Sequence, residues 1–74
     1  MNKDYIIYKF NKYVGSIHAK KHDITELEKD DVMDHCYIIS FKDSNNNIIA
    51  GFTSDSIPKI ENDDIQYTFK VYLD

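Results

Sequence analysis

The chain has 74 residues and a mass of 8.7 kDa, which is enough for a single domain spanning 1–74 but leaves little surface for a deep catalytic cleft. Its 42% hydrophobic content is too high for a disordered chain, and no stretch approaches the roughly 20 apolar residues of a membrane span. Nine Lys against thirteen Asp and Glu give a net charge of −4, and a single Cys excludes an internal disulfide. These features favour a binding protein over an enzyme. With no secretory signal at the start, they also predict a reducing, cytoplasmic location in a bacterial cell.

Charge is distributed unevenly along the chain. Residues 1–22 carry a net charge of +4, residues 23–34 carry −5 and residues 35–74 carry −3. Such asymmetry bears on partners and encounter rates rather than on fold. The abundance of Ile, Lys, Asn, Asp and Tyr, with Lys as the only basic residue type, is typical of AT-rich coding in bacterial and phage genomes.

Strand signals dominate the chain. The clearest is the last segment, where five apolar residues alternate strictly with polar ones over ten positions, as in a strand with one buried and one wet face. The other predicted strands are marked by enrichment in Tyr, Ile and Val or by alternation of apolar and polar residues. Asn11-Lys12 is a candidate tight turn between the first two predicted strands. The alternative to a turn at this point is a single bent strand. Residues 55–64, with Pro58 and four acidic residues, are predicted as a loop. The predicted strands are 5–10, 13–20, 36–42, 48–54 and 65–74.

One segment has helical signals. Asp23 can accept hydrogen bonds from first-turn amides, and Glu26 three residues later completes a capping box. Ile24 and Leu27 supply an apolar edge at helical spacing. A short helix over 23–30 is therefore expected. The predicted fold is α+β, mainly β: about five mostly antiparallel strands with one short helix between the second and third strands.

No pattern in the sequence indicates catalysis, a metal or a cofactor. His18 and His22 lie about 13 Å apart along a strand, too far for one ion, and His35 and Cys36 point to opposite strand faces. Paired carboxylates lie among charged neighbours, and no Gly-rich phosphate loop or nucleophile elbow occurs. The basic cluster at 18–22 is interpreted as an exposed strand edge protected by Lys, because an acidic chain without Arg is poorly suited to direct nucleic-acid binding.

The strongest functional signal is an acidic run of five carboxylates within residues 26–34, expected on the short helix and the turn after it. Carboxylates presented on one surface attract basic, nucleic-acid-handling proteins, and an aromatic anchor is needed to add affinity. Tyr72 lies on the wet face of the last predicted strand and is the candidate anchor, with Tyr5, Tyr8 and Tyr13 as further candidates. The alternative is that the charges solvate the surface and the tyrosines cap a thin core. The predicted partner-binding residues are Glu26, Glu28, Asp30, Asp31, Asp34 and Tyr72.

The stretch from Tyr37 to Val71 resembles the phage uracil-DNA glycosylase inhibitor family. The resemblance rests on a hairpin whose second strand runs into Thr53-Ser54-Asp55, then a loop with Pro58 and a further strand from Ile65. It implies a DNA-mimicking inhibitor with an antiparallel sheet, an acidic face and an apolar cavity that captures an enzyme loop. The family's acidic Gln-Glu-Ser edge-strand motif is absent and residues 1–22 are basic, so no inhibitory residue carries over.

The leading functional hypothesis is a non-enzymatic inhibitor of phage or prophage type that binds a basic host protein handling nucleic acid or serving defence. One alternative is an immunity protein or antitoxin that neutralises a cognate toxin. Another is a self-associating accessory or structural subunit, such as a homodimer paired through edge strands. None of the three requires direct contact with nucleic acid or membrane.

Overall fold

The structure of the protein is a computed structural model that describes residues 2–28, 35–62 and 67–74. These described residues form seven strands and no helix, so the α+β class predicted from the sequence is wrong and the fold is all-β. The strands are β1 (Lys3–Lys9), β2 (Lys12–Ala19), β3 (Lys21–Glu28), β4 (His35–Lys42), β5 (Ile48–Ser54), β6 (Lys59–Asn62) and β7 (Thr68–Leu73).

The strands form two sheets. One has four strands in the order β2-β1-β7-β6, and the other has three in the order β3-β4-β5. All neighbours are antiparallel except β1 and β7, which run parallel at the centre of the four-stranded sheet. The last strand therefore lies beside the first, between β1 and β6. Long-range pairing of this kind holds the two ends of the chain together.

The core lies between the inner faces of the two sheets. Tyr5 is its central residue: the ring is fully buried and lies 4.7 Å from the ring of Phe41 in the opposite sheet and 5.4 Å from that of Phe69, measured between centroids. Aromatic pairs at these separations add to the free energy gained by burial. Within the part of the chain that the structure describes, the buried hydrophobic residues are Tyr5, Ile7, Ala19, Ile39, Phe41, Val71 and Leu73.

The chain passes from one sheet to the other at Lys20. Only this residue separates β2 from β3, and its backbone amide donates to the carbonyl of Lys42 over 2.8 Å. The basic segment 18–22 therefore spans the junction of two edge strands, where exposed Lys20 and Lys21 oppose pairing with another sheet.

The helix predicted over 23–30 is replaced by strand β3 as far as the structure describes it. Asp23 and Ile24 pair with Ser40 and Ile39 of β4, so this segment exchanges backbone hydrogen bonds with a neighbouring strand instead of forming them within a helix. A helix of eight residues is marginal on its own. In the strand Ile24 lies on the same sheet face as buried Ile39, whereas helical spacing would set it beside Leu27, which the strand places on the opposite face.

The first hairpin turns one residue earlier than predicted. Phe10 and Asn11 are its central residues, both with positive φ, at 50° and 63°. Two successive positive φ values define the type I′ turn that matches strand twist. Asn tolerates this conformation, but Phe does so at a steric cost, and its ring remains 61% exposed.

The loop of the second hairpin is organised by Asp43. Its carboxylate accepts hydrogen bonds from the amides of Asn45 and Asn47, each 2.9 Å long, while Asn46 takes a positive φ of 66°. The side chain thereby replaces part of the backbone hydrogen bonding that the turn interrupts.

The segment 55–64, predicted as a loop, contains a strand that the sequence interpretation missed. Residues 59–62 form β6, which pairs with β7 through Ile60 opposite Val71. Four residues are too few for alternation to be recognised, and the pairing with β7 creates the strand.

Candidate functional site

The outer face of the four-stranded sheet carries an ordered set of side chains. The register aligns residues from all four strands in rows across the sheet. Residues directly opposite one another across a ladder point to the same face, and their side chains meet. One row is Tyr13, Tyr8, Tyr72 and Lys59; the next is Ser16, Ile6, Lys70 and Glu61.

Three tyrosines make up most of the first row. Tyr8 in β1 and Tyr72 in β7 have ring centroids 5.1 Å apart and planes only 13° from parallel. Tyr13 in β2 meets Tyr8 edge-on at 6.2 Å and is 62% exposed. We call Tyr13, Tyr8 and Tyr72 the tyrosine row. It is a semi-exposed aromatic surface that crosses three strands and is held by the sheet rather than by loops.

The tyrosine row ends in an open groove of about 400 Å³. Tyr8 covers one face of the Tyr72 ring. Because β6 lies on the other side of β7, the second face of that ring borders the groove. We call it the Tyr72 groove; its lining includes Tyr72, Asn11, Ile57, Lys59, Glu61 and Asp74. Ile57 is 68% exposed and adds an apolar surface beside the ring.

Charged groups at the Tyr72 groove are fixed by short contacts. Lys59 Nζ lies 3.1 Å from Glu61 Oε1; the Lys59 side chain is largely exposed and the Glu61 side chain about half-exposed. Asp74 is anchored more firmly: its amide donates to the Oγ of buried Ser54 over 2.9 Å, and its carboxylate accepts the hydroxyl of Ser56. The groove therefore presents two carboxylates and one ammonium beside an aromatic ring.

The far corner of the same face carries a second polar pair. His18 Nδ1 lies 2.5 Å from Asp4 Oδ1, and both side chains are exposed. His22 points instead to the inner face of the other sheet, since it pairs in register with buried Phe41. His18 and His22 are thus separated by the sandwich, and the described residues contain no group of three or more His, Cys, Asp and Glu that could hold a metal ion.

The predicted partner-binding residues are only partly placed. Glu26 is an exposed residue of β3, whereas Tyr72 lies on the outer face of the other sheet, so the structure does not bring these two onto one face. The backbone of Glu28 ends β3, and its side chain lies outside the described part of the chain. Asp30, Asp31 and Asp34 also lie outside the described residues. The expected presentation of the acidic run on a helix is not seen at 23–28, which is strand.

The geometry of β3 also places its acidic residues Asp23 and Glu26 on different faces of the sheet. Asp23 and Glu26 are three apart in β3 and therefore point to opposite faces. Asp23 Oδ2 lies 2.8 Å from Lys42 Nζ, and this hydrogen bond and charge hold the pKa of the Asp23 carboxyl below its usual range. One carboxylate of the acidic stretch is thus engaged by a lysine of the same sheet.

Sequence interpretation missed most of the Tyr72 groove. Tyr72 was the predicted anchor, and Tyr8 and Tyr13 were among the further candidates. Lys59 and Glu61 fall in the segment predicted as a loop, and their shared face depends on β6 pairing with β7. The only available signal was the alternation of Lys59, Ile60 and Glu61, which is too short to identify a strand.

A pair of titratable side chains, Tyr5 and His22, lies between the sheets. The hydroxyl of Tyr5 forms a 3.0 Å hydrogen bond with Nδ1 of His22, and the two rings meet edge-on. Burial lowers the pKa of His22, and the positive charge of Lys3 lowers it further, while Asp23 opposes them. Burial also raises the pKa of the Tyr5 hydroxyl, so both groups favour their neutral forms.

We expect folding stability to fall as the pH drops below about 6.5, the ordinary pKa of histidine. The unfolded chain binds a proton at His22 more readily than the folded one, so acid favours unfolding until the pH passes below the folded pKa. Urea unfolding of the wild-type protein and of His22→Gln between pH 7.5 and 5.5 measures this, with His18→Gln as the control for the exposed histidine. A wild-type curve that parallels His22→Gln over this range would contradict the assignment.

Comparison with protein-family models, curated proteins and solved structures finds no match to this chain. These comparisons therefore do not test the resemblance to the glycosylase inhibitor family, which rests on the sequence alone. The described parts of the chain contain no helix of the length and hydropathy that crossing a membrane requires.

Proposed function

We propose that this chain is a non-enzymatic protein-binding module of phage or prophage type, and that it inhibits a basic host protein by docking through the tyrosine row. The observation that carries the proposal is the row itself, in which Tyr13, Tyr8 and Tyr72 lie side by side on an outer sheet face. Tyrosine is enriched at protein interfaces because it combines a large apolar surface with a polar hydroxyl.

The row has the properties of an interface anchor. Its rings are held by the pairing of three strands, so few rotamers are lost when a partner covers them. Tyr13 Oη lies 3.1 Å from Ser16 Oγ, which fixes the most exposed ring of the three. Rigid aromatic groups at the centre of a patch are the residues that most often dominate binding energy.

The net charge of −4 indicates a basic partner. Long-range attraction speeds the encounter of oppositely charged proteins and gives the association rate a strong salt dependence. In this proposal the acidic residues of 23–34 steer the partner, and the tyrosine row supplies short-range affinity. A basic patch that handles nucleic acid is the partner surface that such steering selects, as the resemblance to the glycosylase inhibitors also implies.

Affinity capture from a bacterial lysate, with matched variants, tests the proposal. We expect the wild-type chain to retain a nucleic-acid-handling protein, to inhibit its activity at a one-to-one ratio, and to lose it in high salt. Tyr8→Ala with Tyr72→Ala should abolish retention, while Thr25→Ala, on the outer face of the other sheet, should leave it intact. Retention that survives the tyrosine double variant, or a captured protein that remains fully active, would reject the proposal.

Charge reversal tests the steering separately. Glu28, Asp30 and Asp31 changed together to Lys should slow association with the captured protein and reduce its salt dependence, with the dissociation rate little changed. Stopped-flow or surface-based kinetics measures both rates. An unchanged association rate would remove the acidic stretch from the mechanism even where the tyrosine row still binds.

Strand β5 favours a second candidate, a self-associating subunit. It is an edge strand with no charged residue and no Pro between Ile48 and Ser54, and Ile48 and Ile49 are 65% and 48% exposed. Edge strands are normally protected by charge or Pro. Here the ammonium of Lys9 binds the carbonyl of Thr53 over 2.7 Å, which occupies only one end of the strand. Sedimentation equilibrium of the purified chain distinguishes the candidates: a dimer dispersed by Ile49→Lys supports self-association, and a monomer leaves the edge unpaired.

A further inference from the structure

We propose that the Tyr72 groove receives an arginine side chain of the partner. The inference rests on the proposed function, because it names the chemical group through which a basic protein is recognised. It goes beyond that function in assigning a defined site and in requiring arginine rather than positive charge in general.

The first argument is the open end of the ring stack. Tyr8 covers one face of the Tyr72 ring at 5.1 Å, and the other face borders the Tyr72 groove. A planar group entering the groove continues the stack. The guanidinium of arginine is planar and stacks on aromatic faces, and Ile57 beside the ring offers an apolar surface to the methylene stem.

The second argument is charge. Glu61 and Asp74 border the Tyr72 groove with Lys59, and Lys70 of β7 lies opposite Glu61, so the guanidinium is expected to bind mainly the Asp74 carboxylate. The Asp74 carboxylate is oriented by Ser56, and its backbone is tied to Ser54 on one side and Asp55 on the other. A carboxylate held in place loses little entropy when a guanidinium binds it through paired hydrogen bonds.

The Lys59–Glu61 contact is compatible with this exchange. Its 3.1 Å separation joins an exposed lysine to a half-exposed glutamate, and surface pairs of this kind contribute little to stability. An incoming guanidinium can therefore replace the ammonium at Glu61 at small cost. The guanidinium also stacks on the Tyr72 ring. The ammonium of Lys59 is not planar and cannot stack in this way.

The composition of the chain excludes a second copy as the source of this group. All nine of its basic residues are Lys, so no copy of the chain supplies an arginine. The arginine must therefore come from a different protein.

A titration followed by NMR tests the site with defined probes. The acetylated, amidated pentapeptide Gly-Gly-Arg-Gly-Gly is compared with peptides that carry Lys or citrulline at the central position. We expect the arginine peptide to shift the signals of Tyr72, Ile57 and Asn11, and to bind several-fold more tightly than either analogue. Equal affinity for the three peptides, or shifts scattered over both sheets, would overturn the proposal.

Three variants sharpen the result. Tyr72→Leu keeps an apolar side chain but removes the ring, and should weaken the arginine peptide about tenfold, as expected for a loss of about 1.4 kcal/mol of stacking. Thr25→Leu, at an exposed position on the outer face of the other sheet, is the control and should leave the affinity unchanged. Lys59→Met removes the ammonium that competes at Glu61 while Lys70 stays opposite Glu61, so it should tighten binding of the arginine peptide, and unchanged or weaker binding would contradict the exchange.

The same reagents separate this inference from the proposed function. If the tyrosine row captures a partner but the arginine peptide neither binds nor displaces it, the arginine assignment fails and the function stands. If the peptide binds the Tyr72 groove while no partner depends on the tyrosines, the groove is an arginine site and the inhibitor proposal fails.

Discussion

Replacement of Tyr5 by Ala should leave the chain unfolded at 25 °C. The ring is fully buried at the centre of the core and contacts Phe41, Phe69 and His22. Removing a buried aromatic side chain costs about 3–5 kcal/mol through lost contacts and the cavity left behind. A domain of this size has a total stability of similar magnitude, about 3–5 kcal/mol, so little remains. Far-UV circular dichroism and urea titration measure the loss.

Two further variants divide this effect into its parts. Tyr5→Phe keeps the ring contacts but leaves Nδ1 of His22 without its hydroxyl partner, and should cost about 1 kcal/mol. Tyr13→Ala removes a tyrosine that is 62% exposed but meets Tyr8 across the ladder, and should cost about 1 kcal/mol, well below the cost of Tyr5→Ala. A cooperative unfolding transition of Tyr5→Ala near the wild-type urea midpoint would show that the core does not depend on this ring.

The strands could be predicted where the sequence alternates over enough residues. The predicted strands 36–42 and 48–54 correspond to β4 and β5, and the last segment contains β7 with Val71 and Leu73 buried. Alternation reports one buried face, and that face is the same whichever strands become neighbours. The parallel pairing of β1 with β7 had no local signal, because it depends on contacts between opposite ends of the chain.

The segment 23–30 shows why local signals misled at one position. Asp23 and Glu26 are a good capping pair, and this preference favours a helix by a small amount. Pairing with eight residues of β4 outweighs it, because alternate residues of β3 exchange backbone hydrogen bonds with β4 and His22 also gains a contact with Tyr5. A helix at this point would have provided only Ile24 and Leu27 for packing.

The sequence could indicate Tyr72 as a candidate site residue, but it could not show which side chains lie beside it on the surface. Tyr72 could be chosen because it lies on the polar face of an alternating strand. Its neighbours Tyr8 and Lys59 belong to strands 64 and 13 residues away in sequence, and only the strand order β1-β7-β6 makes them adjacent. The acidic stretch was conspicuous by composition, yet composition did not reveal that Asp23 and Glu26 point to opposite faces of β3.

Adjacent substitutions in β7 should separate folding from binding. Val71 is fully buried and pairs with Ile7 and Ile60 on its two sides, whereas Tyr72 points outward. Val71→Asp places a carboxylate among apolar neighbours with no cation to pair with it, which costs about 3–5 kcal/mol and should abolish the folded state. Tyr72→Asp introduces the same carboxylate on the wet face beside Lys59, so the chain should stay folded.

Tyr72→Asp should lose partner binding although it stays folded. Tyr72→Asp removes the ring that ends the stack, and we expect loss of both the captured protein and the arginine peptide from a chain whose circular dichroism matches the wild type. Thr25→Asp is the control, since it introduces the same carboxylate at an exposed position on the outer face of the other sheet. If Tyr72→Asp unfolds the protein as Val71→Asp does, the tyrosine row supports the fold. If Tyr72→Asp is folded and still binds, the row is not the docking face.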